Sequence, residues 1–161
     1  MKIRELTPQD IEQFFFELMA EIEGGSSFDL SDSQLVGWLR RKIGRRWGNG
    51  AQFYGLFDAQ IPVGLAGVII DDHPYYAGHS ELVDLGVVRA YRQAGYGTLL
   101  LNHVEQLARE AGVFCLYVST YAGDTATITF YGKRGFAPVA IIPDFHGPHD
   151  EGQIYMRKRL W

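Results

Sequence analysis

Arg92-Gln93-Ala94-Gly95-Tyr96-Gly97-Thr98 sets a guanidinium, two glycines and a run of backbone amides between an apolar stretch, Leu82 to Val88, and an amphipathic one, Leu99 to Ala111. A strand, a glycine turn and a helix in that order build an anion site. The first N–H groups of a helix lack intrahelical partners, and the helix dipole adds partial positive charge there. Glycine lets the backbone approach a phosphate with no Cβ in the way and tolerates positive φ. Arg92 adds a fixed charge at the mouth of the turn. The chemistry that suits this stretch is the holding of a pyrophosphate-bearing cofactor. Two better-known phosphate loops do not fit: G-x-G-x-x-G needs glycine at 100, where Leu100 stands, and G-x-x-x-x-G-K-[ST] is absent.

The elements that must position this turn can be read from spacing. Lys2 to Leu6 alternates as a first strand, and Thr7-Pro8 starts a helix with Ile11, Phe14, Phe15, Leu18, Met19 and Ile22 on one face. Gly24-Gly25 ends it, and a cap at Ser31 or Ser33 opens a second helix carrying Leu35, Trp38, Leu39 and Ile43. Its back face, Arg40, Arg41, Lys42, Arg45 and Arg46, reads as a solvated basic face. Gln52 to Phe57 and Pro62 to Ile70 form an antiparallel hairpin around Asp58-Ala59-Gln60. Ser80 to Val88 is the next strand, and Gly86 inside it marks a bulge or a close backbone approach. Leu100, Val104, Leu107, Ala108 and Ala111 line a helix that Gly112 closes, and Val113 to Ser119 is a buried strand. Asp124 or Thr125 caps a helix ending at Gly135, and Phe136 to Ile142 with Gln153 to Leu160 make a final strand pair.

The 161 residues, 47% of them hydrophobic, fit one domain over residues 1–161. A net charge of −4 leaves no footprint for nucleic acid. No apolar stretch has membrane-spanning length and no leader-like segment opens the chain, so a cytosolic protein is expected. Cys115 lies in an apolar run and reads as a packing thiol. His146-x-x-His149-Asp150 has a metal-like spacing, but its Gly/Pro loop lacks the rigid presentation of a metal site, and no metal is expected. A homodimer is among the open assembly states.

Val87-Val88-Arg89-Ala90-Tyr91-Arg92-Gln93-Ala94-Gly95-Tyr96-Gly97 resembles the acyl-CoA signature of the GNAT superfamily of N-acetyltransferases, and Phe130-Tyr131-Gly132-Lys133-Arg134-Gly135-Phe136 resembles its second signature, FY-x-x-x-GF. The order of elements agrees along nearly the whole chain. Ala90 stands where the family often has proline, and Asp124 where it often has asparagine. The resemblance implies an α/β (α+β) fold: a mixed, mostly antiparallel sheet of six or seven strands, about four flanking helices, and a V-shaped split between the strands at 80–88 and 113–119. It implies acetyl-CoA as co-substrate, with the backbone from Gln93 to Thr98 on the pyrophosphate. Val87, Val88 and Asp124 would lie along the pantetheine arm, the Val87 N–H would face the acetyl carbonyl, and Tyr131 would point at the thioester sulfur.

Residue chemistry agrees with this reading. A rigid backbone N–H best stabilises the oxyanion of acetyl transfer, and a phenol with pKa near ~10 is a suitable proton donor to a leaving thiolate. The attacking amine needs a base. The resemblance implies Glu81 first, six residues before Val87, where histone-type members of the family carry a glutamate base. Asp84 comes second, in a strand similar to the LEDL strand of polyamine-type members. Their opposite strand parity keeps them from sharing one face unless a bulge intervenes. Tyr75, Tyr76 and His79 (with His73), and Phe145 and His146 (with Asp144, His149, Asp150 and Glu151), are candidates for the rim of an acceptor pocket. The expected reaction is direct acetyl transfer to a primary amine, most simply a small molecule. A protein lysine or N-terminus, or a noncatalytic acyl-CoA sensor, are the alternatives.

Overall fold

The computed structural model describes residues 1–71 and 78–161. Its strands are β1 (Lys2–Glu5), β2 (Gln52–Asp58), β3 (Ile61–Ile70), β4 (His79–Val87), β5 (Cys115–Tyr121), β6 (Ala137–Ile142) and β7 (Gln153–Arg159). Among the described residues four helices accompany them: α1 (residues 8–24), α2 (Ser33–Gly48), α3 (Tyr96–Glu110) and α4 (Thr125–Gly132). The seven strands join in the order β1-β2-β3-β4-β5-β7-β6. The pairings β1–β2, β2–β3, β5–β7 and β6–β7 are antiparallel, and β4–β5 is parallel. This is the mixed α/β architecture expected. The β4–β5 register runs from His79↔Cys115 to Leu82↔Val118. Among the described residues no helix is long and apolar enough to cross a membrane.

The chain divides into two compact units, residues 1–69 with 83–106 and residues 70–82 with 107–161. In the first, Leu6, Ile11, Phe15, Met19, Leu39, Phe53 and Leu65 form the core. Thr7 caps α1 through a reciprocal box: Asp10 N donates to Thr7 Oγ1 at 3.2 Å and Thr7 N to Asp10 Oδ2 at 2.8 Å, with Pro8 at the first turn. The uniform α-spacing expected through Ile22 is interrupted by a π-helical turn, Ile11–Phe15. With this widened turn Phe14 and Phe15 both meet the Phe57 ring edge-on, at 6.0 and 5.4 Å. Gly86 is a close approach, not a bulge: a Cβ there would stand 2.6 Å from Ile22 Cδ1, so α1 rests directly on β4. The cap of α2 is Asp32 and neither serine, its carboxylate accepting from Gln34 N and Leu35 N at 2.8 and 3.3 Å. A carboxylate sets a full negative charge against the positive helix end, which a serine hydroxyl cannot match.

Helix α3 starts at Tyr96, three residues before the apolar periodicity, because its first turn is the polar end of the glycine stretch. Leu100, Leu101, Val104 and Ala108 are buried on it, whereas Ala111 is exposed beyond its end. In the second unit β5 pairs with β7 along its whole length. Cys115 is a buried free thiol. Strand β6 closes the sheet as an edge with every residue exposed.

Candidate functional site

The glycine stretch folds as an anion cradle. After β4 comes a single 3-10 turn, Arg89–Tyr91, and then Gln93 and Gly95 adopt left-handed φ of 61° and 87°. Alternating left-handed residues turn successive N–H groups inward as a nest, and this one opens into the N-terminus of α3. The helix ladder begins with Leu99 N donating to Gly95 O at 3.0 Å, so the amides before it precede that ladder. No atom lies within 4 Å of the place a Gly95 Cβ would take. Gln93, Ala94 and Gly95 are exposed, and Tyr96, Gly97 and Thr98 half-buried. An open, positively polarised backbone concavity of this kind fits a diphosphate group.

The strand feeding this cradle is anchored on one side. Val88 N donates to Val63 O at 2.8 Å, so strand alternation turns the Val87 N–H to the opposite edge of β4. Arg92 does not stand free at the mouth: its Nε donates to Val87 O at 2.9 Å and its Nη2 to Glu21 Oε1 at 2.8 Å. The guanidinium therefore fixes the Val87 peptide from its carbonyl side. Glu21 was invisible in the sequence as a partner because 71 residues separate it from Arg92.

The two candidate bases have different surroundings. Along β4, Ser80, Leu82 and Asp84 are buried while His79 and Glu81 are exposed, the alternation expected of a strand. Glu81 stands opposite Tyr117 of β5. Asp84 is sealed in and ion-paired with Arg46 Nη1; Arg46 Nη2 reaches Glu23 Oε1 at 3.0 Å, and Lys42 pairs with Glu23 as well. Part of the basic face of α2 is thus an internal charge cluster, whereas Arg40 pairs with Glu12 at the exposed surface. Burial pushes the Asp84 carboxyl up to about 7, Arg46 opposing it most strongly, with Glu23 raising it and Lys42 lowering it.

That shift fixes a sign. Between about pH 4 and about pH 7 the unfolded chain has lost this proton while the folded one keeps it, so stability falls as pH rises through that window and levels off above it. The expected slope from this group is up to about 1.4 kcal/mol per pH unit. Asp84→Asn removes it. Urea unfolding across the window measures both proteins; equal slopes count against a protonated Asp84.

In the second unit, Asp124 caps α4, its Oδ1 accepting from Thr127 N at 3.0 Å, so this carboxylate is engaged in holding the helix that carries Tyr131. Tyr131 is 5% exposed, and its ring meets Phe130 at 5.2 Å and Phe136 at 5.3 Å. Gly135 reverses the chain at φ 90°, and Phe136 N returns to Tyr131 O at 3.2 Å. The FY-x-x-x-GF segment is therefore one packed aromatic corner, which explains its spacing.

Of the expected rim residues, His73, Tyr75 and Tyr76 lie outside the described residues. His79 is exposed, with Nδ1 3.6 Å from Asp71 and its ring 5.9 Å from Tyr117. Phe145 is 50% exposed, its ring 4.9 Å from that of His146, which also faces Tyr121 at 6.1 Å. His146 Nε2 lies 2.9 Å from Gln153 Oε1, and Gln153 Nε2 donates to Ser119 Oγ at 3.0 Å. Ser119 and Gln153 went unnoticed in the sequence; their only signal was a polar residue at the end of one strand and the start of another. Glu151 is tucked against Gly123, where a Cβ would lie 2.0 Å from its Oε2. The exposed groups beside Tyr121 are thus polar, aromatic and acidic.

Residues 10–136 match the sequence model of the acetyltransferase (GNAT) family. The N-alpha-acetyltransferase 50 of Danio rerio is 33% identical over 66 residues, a stretch covering 40% of this chain and only 39% of that protein. Among solved structures, a GNAT-family protein of Desulfovibrio desulfuricans superposes with a TM-score of 0.76 at 19% identity, covering 99% of each chain. An aminoglycoside 6'-N-acetyltransferase in complex with coenzyme A reaches 0.75 at 20% identity, covering 100% of this chain and 98% of its own. At such identities the structural likeness is one of fold.

Proposed function

Because the chain belongs to the acetyltransferase (GNAT) family, we propose that it moves an acetyl group from acetyl-CoA directly to a primary amine, with residues 1–161 acting as one catalytic domain. The observation that carries this reading is the open cradle at Gln93 and Gly95 on the N-terminus of α3, directly after the strand end whose Val87 N–H is turned away from β3. The amides of residues 93–98 hold the diphosphate of the co-substrate, and the coenzyme A complex of a fold neighbour supports the same ligand. Acetyl-CoA, when bound, supplies an activated thioester.

The chain's own groups do the rest. The Val87 N–H, held from its carbonyl side by Arg92, donates to the oxygen on which negative charge develops. Tyr131 gives a proton or hydrogen bond to the departing sulfur. Glu81, exposed on β4, takes the amine proton directly or through water, whereas the sealed pairing of Asp84 with Arg46 suits a structural role. A small cationic amine is the acceptor we favour, since Asp144, Asp150 and Glu151 accompany Phe145 and His146 in one loop. A polypeptide amine is the second reading: Phe145 and His146 are exposed instead of walling a deep pocket, and a relative is named as an N-alpha-acetyltransferase.

CoA release measured against a panel of polyamines, aminoglycosides and peptides with free N-termini tests both. Turnover with small amines alone supports the favoured acceptor, and turnover with peptides alone replaces it. Tight acetyl-CoA binding with no turnover on any amine leaves a sensor module and sinks the enzyme. Against the best acceptor, Glu81→Gln is expected to lower kcat/KM about 10²-fold near neutral pH and to erase its acidic limb. An unchanged profile takes the base role away from Glu81.

A further inference from the structure

We propose that Arg157 grips a carboxylate on the acceptor, so that the acetylated amine belongs to a small molecule that also carries an acid. This rests on the proposed transfer to an amine with Glu81 as base, and narrows the acceptor from a cation to a zwitterion. Alternation divides the sheet of the second unit into two faces. Leu116 and Val118 of β5, with Ile154 and Met156 of β7, are buried on one of them. The other presents Tyr117 and Ser119 of β5 and Gln153, Tyr155 and Arg157 of β7, all half-buried. They stand in register as Tyr117↔Arg157, Ser119↔Tyr155 and Tyr121↔Gln153. Strand β4 adds Glu81, opposite Tyr117. One row across three adjacent strands therefore reads carboxylate, phenol, guanidinium.

The guanidinium of that row lacks a counter-charge. Among the described residues the half-buried arginines are Arg4, Arg46, Arg134 and Arg157. Arg4 holds Asp10, Arg46 holds Glu23 and Asp84, and Arg134 donates to Phe130 O at 2.7 Å and lies 3.6 Å from the centre of that ring. The Arg157 guanidinium has no hydrogen-bond, ion-pair or ring partner among the described residues. Taking a guanidinium partly out of water without an acceptor costs free energy, and its planar fork of donors matches a carboxylate held by both oxygens. Glu81 does not supply that carboxylate: Tyr117 stands between the two, and two strand spacings amount to about 10 Å. The same separation sets the size of the ligand. An amine delivered to Glu81 and a carboxylate held by Arg157 belong to one molecule of up to about 10 Å, its chain crossing Tyr117.

Matched acceptors test this. The acid ε-aminocaproate, its amide and hexylamine share one amine on one chain and differ at the far end. The wild type is expected to favour the acid over the other two by about 10- to 100-fold in kcat/KM, the gain lying in KM. Arg157→Gln is expected to bring that ratio to about one, as the charge-assisted bond is lost, and Arg157→Lys to keep part of it. Arg157→Glu is expected to reverse it in favour of hexamethylenediamine. Calorimetric titration of ε-aminocaproate into CoA-saturated protein needs no turnover: binding is expected in the wild type and not in Arg157→Gln, with CoA affinity showing that the variant is folded. Should no amine be acetylated, the transfer reading falls by itself, and this titration still decides the role of Arg157. A wild type that does not prefer the acid, an unchanged ratio in Arg157→Gln, or equal binding of the acid to both proteins overturns the proposal.

Discussion

Glutamate in place of Gly95 is expected to abolish CoA binding: the dissociation constant rises by at least about 100-fold, and the thermal stabilisation CoA confers disappears. Two effects combine. Position 95 sits at φ 87°, where a side chain costs on the order of 1–3 kcal/mol of strain within the nest that aims the amides. The new carboxylate also enters the open space above the cradle and repels a diphosphate in place of exposing N–H groups to it. Gly95→Ala separates these effects, since it carries the strain without the charge, and a loss of about tenfold is expected there. Calorimetric titration with CoA measures both variants. Because no atom lies near the added group, the fold survives and a lost signal reports on the site. A normal thermal shift with CoA for the glutamate variant would remove the phosphate assignment.

The parts of this molecule legible in the sequence are those written in local spacing. The capping Thr7-Pro8, the strand alternation that buries Asp84 and exposes Glu81, the glycine turn before α3 and the Tyr131 corner each depend on residues within about a dozen positions. What escaped depends on residues far apart in the chain. Arg46 reads as one of five basic residues on a helix surface until Asp84 and Glu23 come to meet it. Arg92 reads as a phosphate ligand until Glu21 and the Val87 carbonyl claim its guanidinium. The π-turn in α1 is equally silent, since Ile11, Phe14, Phe15 and Leu18 keep helical spacing on paper and only Phe57 shows why the turn widens. Gly86 carried the right warning with two meanings, and Ile22 decides between them. Charges and rings are therefore easy to find in this sequence, whereas their partners are not.

Tyr131 is where that distinction matters most for function. Its ring is fixed by Phe130 and Phe136, and phenylalanine keeps the same ring, so Tyr131→Phe removes the hydroxyl and little else. Proton donation to a leaving group contributes about 10²- to 10⁴-fold, and kcat is expected to fall by about 10²-fold or more while CoA affinity stays within about threefold of wild type. The leaving group supplies the sharper check. A thiolate of lower pKa needs less protonation as it departs, so an acetyl thioester of an acidic aromatic thiol, carried by the same acceptor assay, should lose most of the difference between the two proteins. If kcat is unchanged, Tyr131 is a core tyrosine. If affinity and turnover fall together for both thioesters, the hydroxyl holds the corner's shape and the proton comes from elsewhere.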